Sequence, residues 1–98
     1  MSFVAITKVK YPDSLKTEIR DIGLNMIPIA KQQPGFISIG FHRSRTSNET
    51  MMYWEWESKA DHEACMTCHA WASIMAQSKA AFQNEETEFS IETFERLA

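Results

Sequence analysis

The stretch from Met51 to Trp71, MMYWEWESKADHEACMTCHAW, gathers most of the residue types that could do chemistry. Tyr53, Trp54 and Trp56 crowd the end of an aromatic run, and His62 and His69, two of the chain's three histidines, follow it. An aromatic wall beside groups that titrate near neutrality suits a pocket for a flat organic ligand. A neutral imidazole at His62 can accept a phenolic proton, and the Trp56 indole N–H can be donated to a ligand oxygen. Met52 and Trp54 alternate onto the same face as Trp56 and offer an apolar lining. The plainer alternatives remain open here: a core tryptophan at a strand end, and a histidine on an exposed helix face.

Cys65, Cys68 and His69 also spell the CxxCH spacing of a covalent haem attachment site. That chemistry needs export and a maturation apparatus, and the string falls across an expected helix boundary. Four ligand types at His62, Cys65, Cys68 and His69 are packed too tightly for structural zinc, which uses two separated pairs on a small knuckle. A redox CxxC would need a thioredoxin-like context that is missing. The sequence therefore predicts no metal and no cofactor, with both cysteines acting as small apolar core residues.

These groups must be positioned by surrounding elements. Residues 2–10 alternate as a strand, with Val4 and Ile6 on one face and Phe3, Ala5 and Val9 on the other. Tyr11-Pro12-Asp13-Ser14 turns into a helix whose apolar stripe is Leu15, Ile19, Ile22, Met26 and Ile29. Pro28 is expected to kink or end it near Asn25 or Met26, and Gly23 weakens it slightly. Pro34-Gly35 stops that element. FISIGFHR, residues 36–43, is a second strand, with Ile37, Ile39 and Phe41 on one face and Phe36, Ser38, Gly40 and His42 on the other. The small Ser38 and Gly40, with His42, leave room for a ligand or for a closely packed helix. A polar hairpin leads to a third strand over residues 50–57. Ser58 and Asp61 resemble a capping box, opening a short helix to about Met66; Thr67 is expected to cap another that runs to about Phe82. Phe89, Ile91 and Phe94 mark a last strand.

The order β-α-β-β-α-α-β predicts an α+β, ferredoxin-like split βαβ fold with a four-stranded antiparallel sheet, in a single domain over residues 1–98. Helices cover one face of such a sheet. Large apolar groups on both faces of the strands imply that a second copy of the chain covers the other, making a homodimer.

A net charge of −3 and scattered basic residues argue against nucleic acid. FISIGFHR also lacks the basic-Gly-aromatic pattern of an RNA-recognition strand. No apolar run is long enough to span a membrane, and MSFVAITKVKY lacks the features of a signal peptide. Two cysteines make no disulfide framework, so the expected setting is cytoplasmic, with reduced thiols.

PGFISIGFHRS and WESKADHEACMTCHAW together resemble the antibiotic biosynthesis monooxygenase domain family, within the dimeric α/β barrel superfamily. The matching residues are Pro34-Gly35-Phe36, His42-Arg43-Ser44, Trp56-Glu57-Ser58, His62-Glu63-Ala64 and Thr67-Cys68-His69, with Cys68 where the family usually has proline. The resemblance implies a homodimer with one pocket per protomer between sheet and helices, and it supports a pocket role for His69. It also implies cofactor-independent oxygenation of a small aromatic or quinol-type substrate by O2. His62 or His69 would then be the base, and Trp56 the donor and wall. The polyketide oxygenase branch carries an Asn and a Tyr where this chain has Met52 and His62. The haem-degrading branch's site residues would fall on Thr7, Cys65 and Met75, so haem degradation is not expected. A non-catalytic small-molecule-binding dimer of the same fold is the rival, favoured by the absent Asn and Tyr.

Overall fold

A computed structural model describes residues 1–98. Strands β1 (Phe3–Lys10), β2 (Phe36–Arg43), β3 (Glu49–Trp56) and β4 (Glu88–Glu95) form one antiparallel sheet in the order β2-β3-β1-β4. Helix α1 (Lys16–Lys31) joins β1 to β2 after a short 3-10 turn at Asp13–Leu15. Helices α2 (Lys59–Met66), α3 (His69–Gln77) and α4 (Lys79–Gln83) join β3 to β4. This is the ferredoxin-like split βαβ arrangement.

Register decides what each face carries. Met52, Trp54 and Trp56 of β3 lie opposite Thr7, Ala5 and Phe3 of β1. Those three β3 side chains are buried in the main core with Ala5, Met26, Ala30, Cys65 and Trp71. The intervening Tyr53 and Glu55 point the other way. The simple alternation expected for β2 is broken by a bulge between Phe36 and Ser38. The extra residue turns Phe36 towards the helices, opposite Trp56, where the two rings meet edge-on at 5.8 Å. Ile37 is left 45% exposed instead of joining the core.

Three local features depart from the expected helix boundaries. Helix α1 runs through Pro28 to Lys31. Proline removes the donor that would bond the Leu24 carbonyl, but both residues lie on the exposed side, where water can serve that oxygen. Thr67 ends α2 instead of opening α3: its hydroxyl donates to the carbonyls of Glu63 and Ala64, both at 3.2 Å, and Cys68 is the N-cap of α3. The expected long helix breaks at Ser78 into α3 and α4. The cap at Ser58 is present, its hydroxyl oxygen accepting the Asp61 N–H at 3.2 Å.

The sheet face turned from the helices carries Ile6, Met51, Tyr53 and the 46% exposed Phe94 around a polar centre. There Arg96 reaches across β1 to Glu55, its Nη1 donating to both carboxylate oxygens at 3.0 and 3.1 Å. The Ser2 hydroxyl donates to the same carboxylate. The Ser2 bond first, then Arg96, holds the Glu55 carboxyl below its usual value. Val4, between the strands that carry this pair, is buried.

Gly35 has φ +81°, and its carbonyl accepts the Glu57 N–H at 2.8 Å. A Cβ at this position would also run into the Asp61 carboxylate of α2. Gly35→Ala is therefore expected to cost more than about 1 kcal/mol, measured as a fall in Tm and in the denaturant midpoint.

Candidate functional site

Sheet and helices do not close completely on each other. A cavity of about 260 Å3 lies between them. Its floor is Thr7 and Val9 of β1, Phe41 of β2, Thr50, Met52 and Trp54 of β3, and Phe89 of β4. Its roof is Ile19, Ile22, Gly23 and Met26 of α1, Trp71 and Met75 of α3, and Phe82 of α4. The volume sits just under the usual range for small-molecule sites and suits a ligand of two or three rings.

The walls are aromatic where the floor meets α3. Trp54 and Trp71 meet edge-on, with ring centroids 5.4 Å apart. Phe82 and Phe89 make a similar contact at 6.3 Å where α4 meets β4. Gly23 lets α1 approach the sheet closely: a side chain there would run into the Phe41 ring and the Met52 methyl, both at the cavity. A glycine inside a helix costs roughly 1 kcal/mol relative to alanine, and here it permits close approach. Its place on the buried stripe of α1, next to Ile19, Ile22 and Met26, was the sequence signal for that role.

The lining has no ionisable side chain; Thr7 and Thr50 carry its only hydroxyls. The Trp54 Nε1–H donates to Thr7 Oγ1 at 3.1 Å. Of the residues singled out from the sequence, Met52 and Trp54 therefore line the cavity, and they do so beside Trp71 and Met75.

Trp56 and His62 are brought together elsewhere, beyond the Trp54 end of the cavity lining. The Trp56 ring is fully buried, and its Nε1–H has no partner. Leaving such a donor unmade costs about 1–3 kcal/mol. The His62 imidazole packs at 6.0 Å from Trp56 and 5.2 Å from Phe3. Burial pushes its pKa below the ordinary 6.5, with Glu63 opposing weakly. His69 is exposed at the first position of α3. Ser38, Gly40 and His42 lie opposite Glu55, Tyr53 and Met51, on the sheet face away from the cavity. The regular register of Ser38–Arg43 against β3 puts them there, because Ile39 and Phe41 take the positions that face the helices. Ser38 Oγ reaches Glu55 at 3.5 Å, and His42 is exposed.

Cys65 is fully buried, and burial, with Cys68 adding to it, pushes its thiol up to about 11. That is the chemistry of a packing residue. No cluster of His, Cys, Asp and Glu is arranged to hold a metal ion, and no helix is long and apolar enough to cross a membrane.

The depressed pKa gives His62 a pH signature. The unfolded chain takes up this proton at a higher pH than the folded one does. The stability from neutral His62 is thus full above about pH 6.5 and is lost as pH falls through the lowered folded value. Expected: Tm declines as pH falls below about 6.5 in the wild type, and His62→Phe flattens that decline, as read by thermal melts across the range.

A sequence model of antibiotic biosynthesis monooxygenases matches residues 2–77, which takes in every element except α4 and β4. Among solved structures, Rv0793 from Mycobacterium tuberculosis superposes with a TM-score of 0.86 at 12% identity, over 100% of this chain and 97% of that one. PA3566 from Pseudomonas aeruginosa gives 0.84 at 15% identity, over 99% and 95%. SnoaB from Streptomyces nogalater, a cofactor-independent oxygenase, gives 0.79 at 11% identity, over 99% and 94%. At such identities the likeness is one of fold. No curated protein sequence matches the chain. The match across most of its length, on the fold just described, makes this chain a member of the antibiotic biosynthesis monooxygenase family.

Proposed function

We propose that this protein is a cofactor-independent monooxygenase of a small aromatic, quinol-type substrate bound between the sheet and helices α1 and α3. The observation that carries the reading is the cavity itself: about 260 Å3, aromatic-walled and free of charge, in a chain of this family. An electron-rich enolate or phenolate can reduce O2 directly, so the substrate supplies the electrons. For an anthrone the balance is anthrone plus O2 giving anthraquinone plus water: the methylene carbon loses two hydrogens and gains an oxygen, and the second oxygen leaves as water. The protein's part is to bind the ring system, exclude water and assist loss of the first proton.

Neither candidate base lines the cavity, so proton loss to either must pass through a water or a side-chain movement; of the two, we assign His62. Burial keeps it neutral near pH 7, and it leans on Trp56, two residues along β3 from the cavity wall at Trp54. His69 remains the second candidate, two residues before Trp71 on α3. Expected: purified protein consumes oxygen and forms anthraquinone when given anthrone, and His62→Ala slows this by about a hundredfold, the lower range for a general base. Uptake no faster than in buffer, across anthrones and quinols, overturns the oxygenase reading.

One observation favours a non-catalytic binding dimer instead: the lining carries no ionisable group at all. A rise in Tm with anthrone but no oxygen uptake would select that reading.

Both readings include a homodimer through the sheet face that carries Ile6, Met51, Tyr53 and Phe94. Phe94 is 46% exposed there, on an edge strand whose every residue is exposed. Expected: sedimentation at micromolar concentration gives twice the chain mass, and Phe94→Lys shifts the protein towards monomer.

A further inference from the structure

The only side-chain hydrogen bond between cavity-lining residues is the one between Trp54 and Thr7, on adjacent strands of the floor. An indole N–H can only donate, so Thr7 Oγ1 is its acceptor, at 3.1 Å. The Thr7 hydroxyl then has its own proton left to give. On a strand no helical carbonyl lies within reach to take that proton, and the hydroxyl makes no second hydrogen bond within the chain. Thr7 sits on the floor of the cavity, on a central strand, among side chains that are otherwise almost all hydrocarbon. A hydroxyl anchored by the indole and bordering an apolar space has its proton available to an acceptor oxygen on the ligand.

We infer that Thr7, oriented by Trp54, is the residue that recognises a carbonyl oxygen on the ring system bound in this cavity. The inference deepens the proposed function and rests on it: an aromatic ligand must occupy the cavity. It adds what that reading leaves open, namely which polar group the ligand carries and which residue reads it. With the indole on one of its two acceptor lone pairs and its proton free, Thr7 offers a donor that a ketone or quinone oxygen can use and a bare ring cannot. In turnover the same contact would meet the oxygen on which enolate charge develops, and such a bond strengthens as the charge grows.

The test compares anthrone with 9,10-dihydroanthracene, which has the same skeleton with a methylene in place of the carbonyl. Binding is followed by quenching of tryptophan fluorescence under nitrogen, so that no ligand is consumed. The quantity read is the ratio of the two affinities. Thr7→Val, which keeps shape and strand preference, is expected to lower that ratio about tenfold by weakening anthrone alone. Thr7→Ser is expected to keep the wild-type ratio. Trp54→Phe, which leaves the hydroxyl but frees it to rotate, is expected to lower the ratio by a smaller factor and serves if Thr7→Val does not fold. An unchanged ratio in Thr7→Val, equal weakening of both compounds, or loss of the preference in Thr50→Val instead would overturn the assignment of Thr7 while leaving the cavity reading intact. If neither compound binds the wild type, the cavity reading falls and the anchor falls with it.

Discussion

Everything in this molecule depends on the register of β3. Its even positions 52, 54 and 56 are a methionine and two tryptophans, and its odd position 55 is a glutamate held by an arginine and a serine. A slip of one residue would drive Glu55 under the helices and expose the tryptophans on the opposite face. A carboxylate driven there would lose Arg96 and Ser2 and be buried among tryptophans, so that slip is heavily disfavoured. Both neighbours of β3 read this register. Opposite Trp56, β1 sets Phe3 and β2 sets Phe36, so the indole is boxed in aromatic carbon.

The same constraint creates the cavity. Bulky groups hold the two layers apart at Trp54–Trp71 and at Phe82–Phe89. Between these contacts α1 comes close to the sheet at Gly23, where Phe41 and Met52 already occupy the space a side chain would need. A packed core tends to close such a cavity, because each lost contact costs dispersion energy. Here closure would need the aromatic contacts to give way, and their rings have few alternative rotamers. A space kept open by stiff side chains is preorganised for a ligand, with little ordering left to be done on binding.

Much of the architecture was legible from the chain, because it follows from periodicity. The stripe Ile19, Ile22, Met26 and the alternation of β3 specify one helix face and one sheet face, and the element order limits how they can join. The bulge at Ile37 was not legible: alternation holds on both sides of it, and only pairing with β3 reveals the extra residue. That hidden step turned Phe36 to the helices and left Ile37 exposed, while Ser38, Gly40 and His42 lie on the far side because Ile39 and Phe41 take the helix side. The division of the site had a similar origin. Met52, Trp54 and Trp56 share a face, so sequence spacing treats them as one wall, yet the cavity extends only as far as Trp54. Trp56 is enclosed by Phe3, Phe36 and His62, which come from three different elements. Contacts at that range in sequence leave no local pattern.

A lining without charge also limits which substrate chemistry the site can support. Moving an ionised oxygen from water into a hydrocarbon cavity raises its pKa, since desolvation penalises the charged form. A simple phenol placed beside Trp54 and Met52 would thus become harder to ionise, with one threonine hydroxyl to offset the loss. A ring ketone with an acidic methylene suffers less. Its anion spreads charge across the fused rings, so little hydration is lost at any one atom, and under the proposed assignment the fraction on the carbonyl oxygen would meet the Thr7 hydroxyl. The same apolar walls favour O2, itself an uncharged and weakly hydrated molecule. A hydrocarbon lining with a threonine donor therefore fits a delocalised carbanion better than a localised phenolate, so within the proposed function the substrates expected are those that react through carbon.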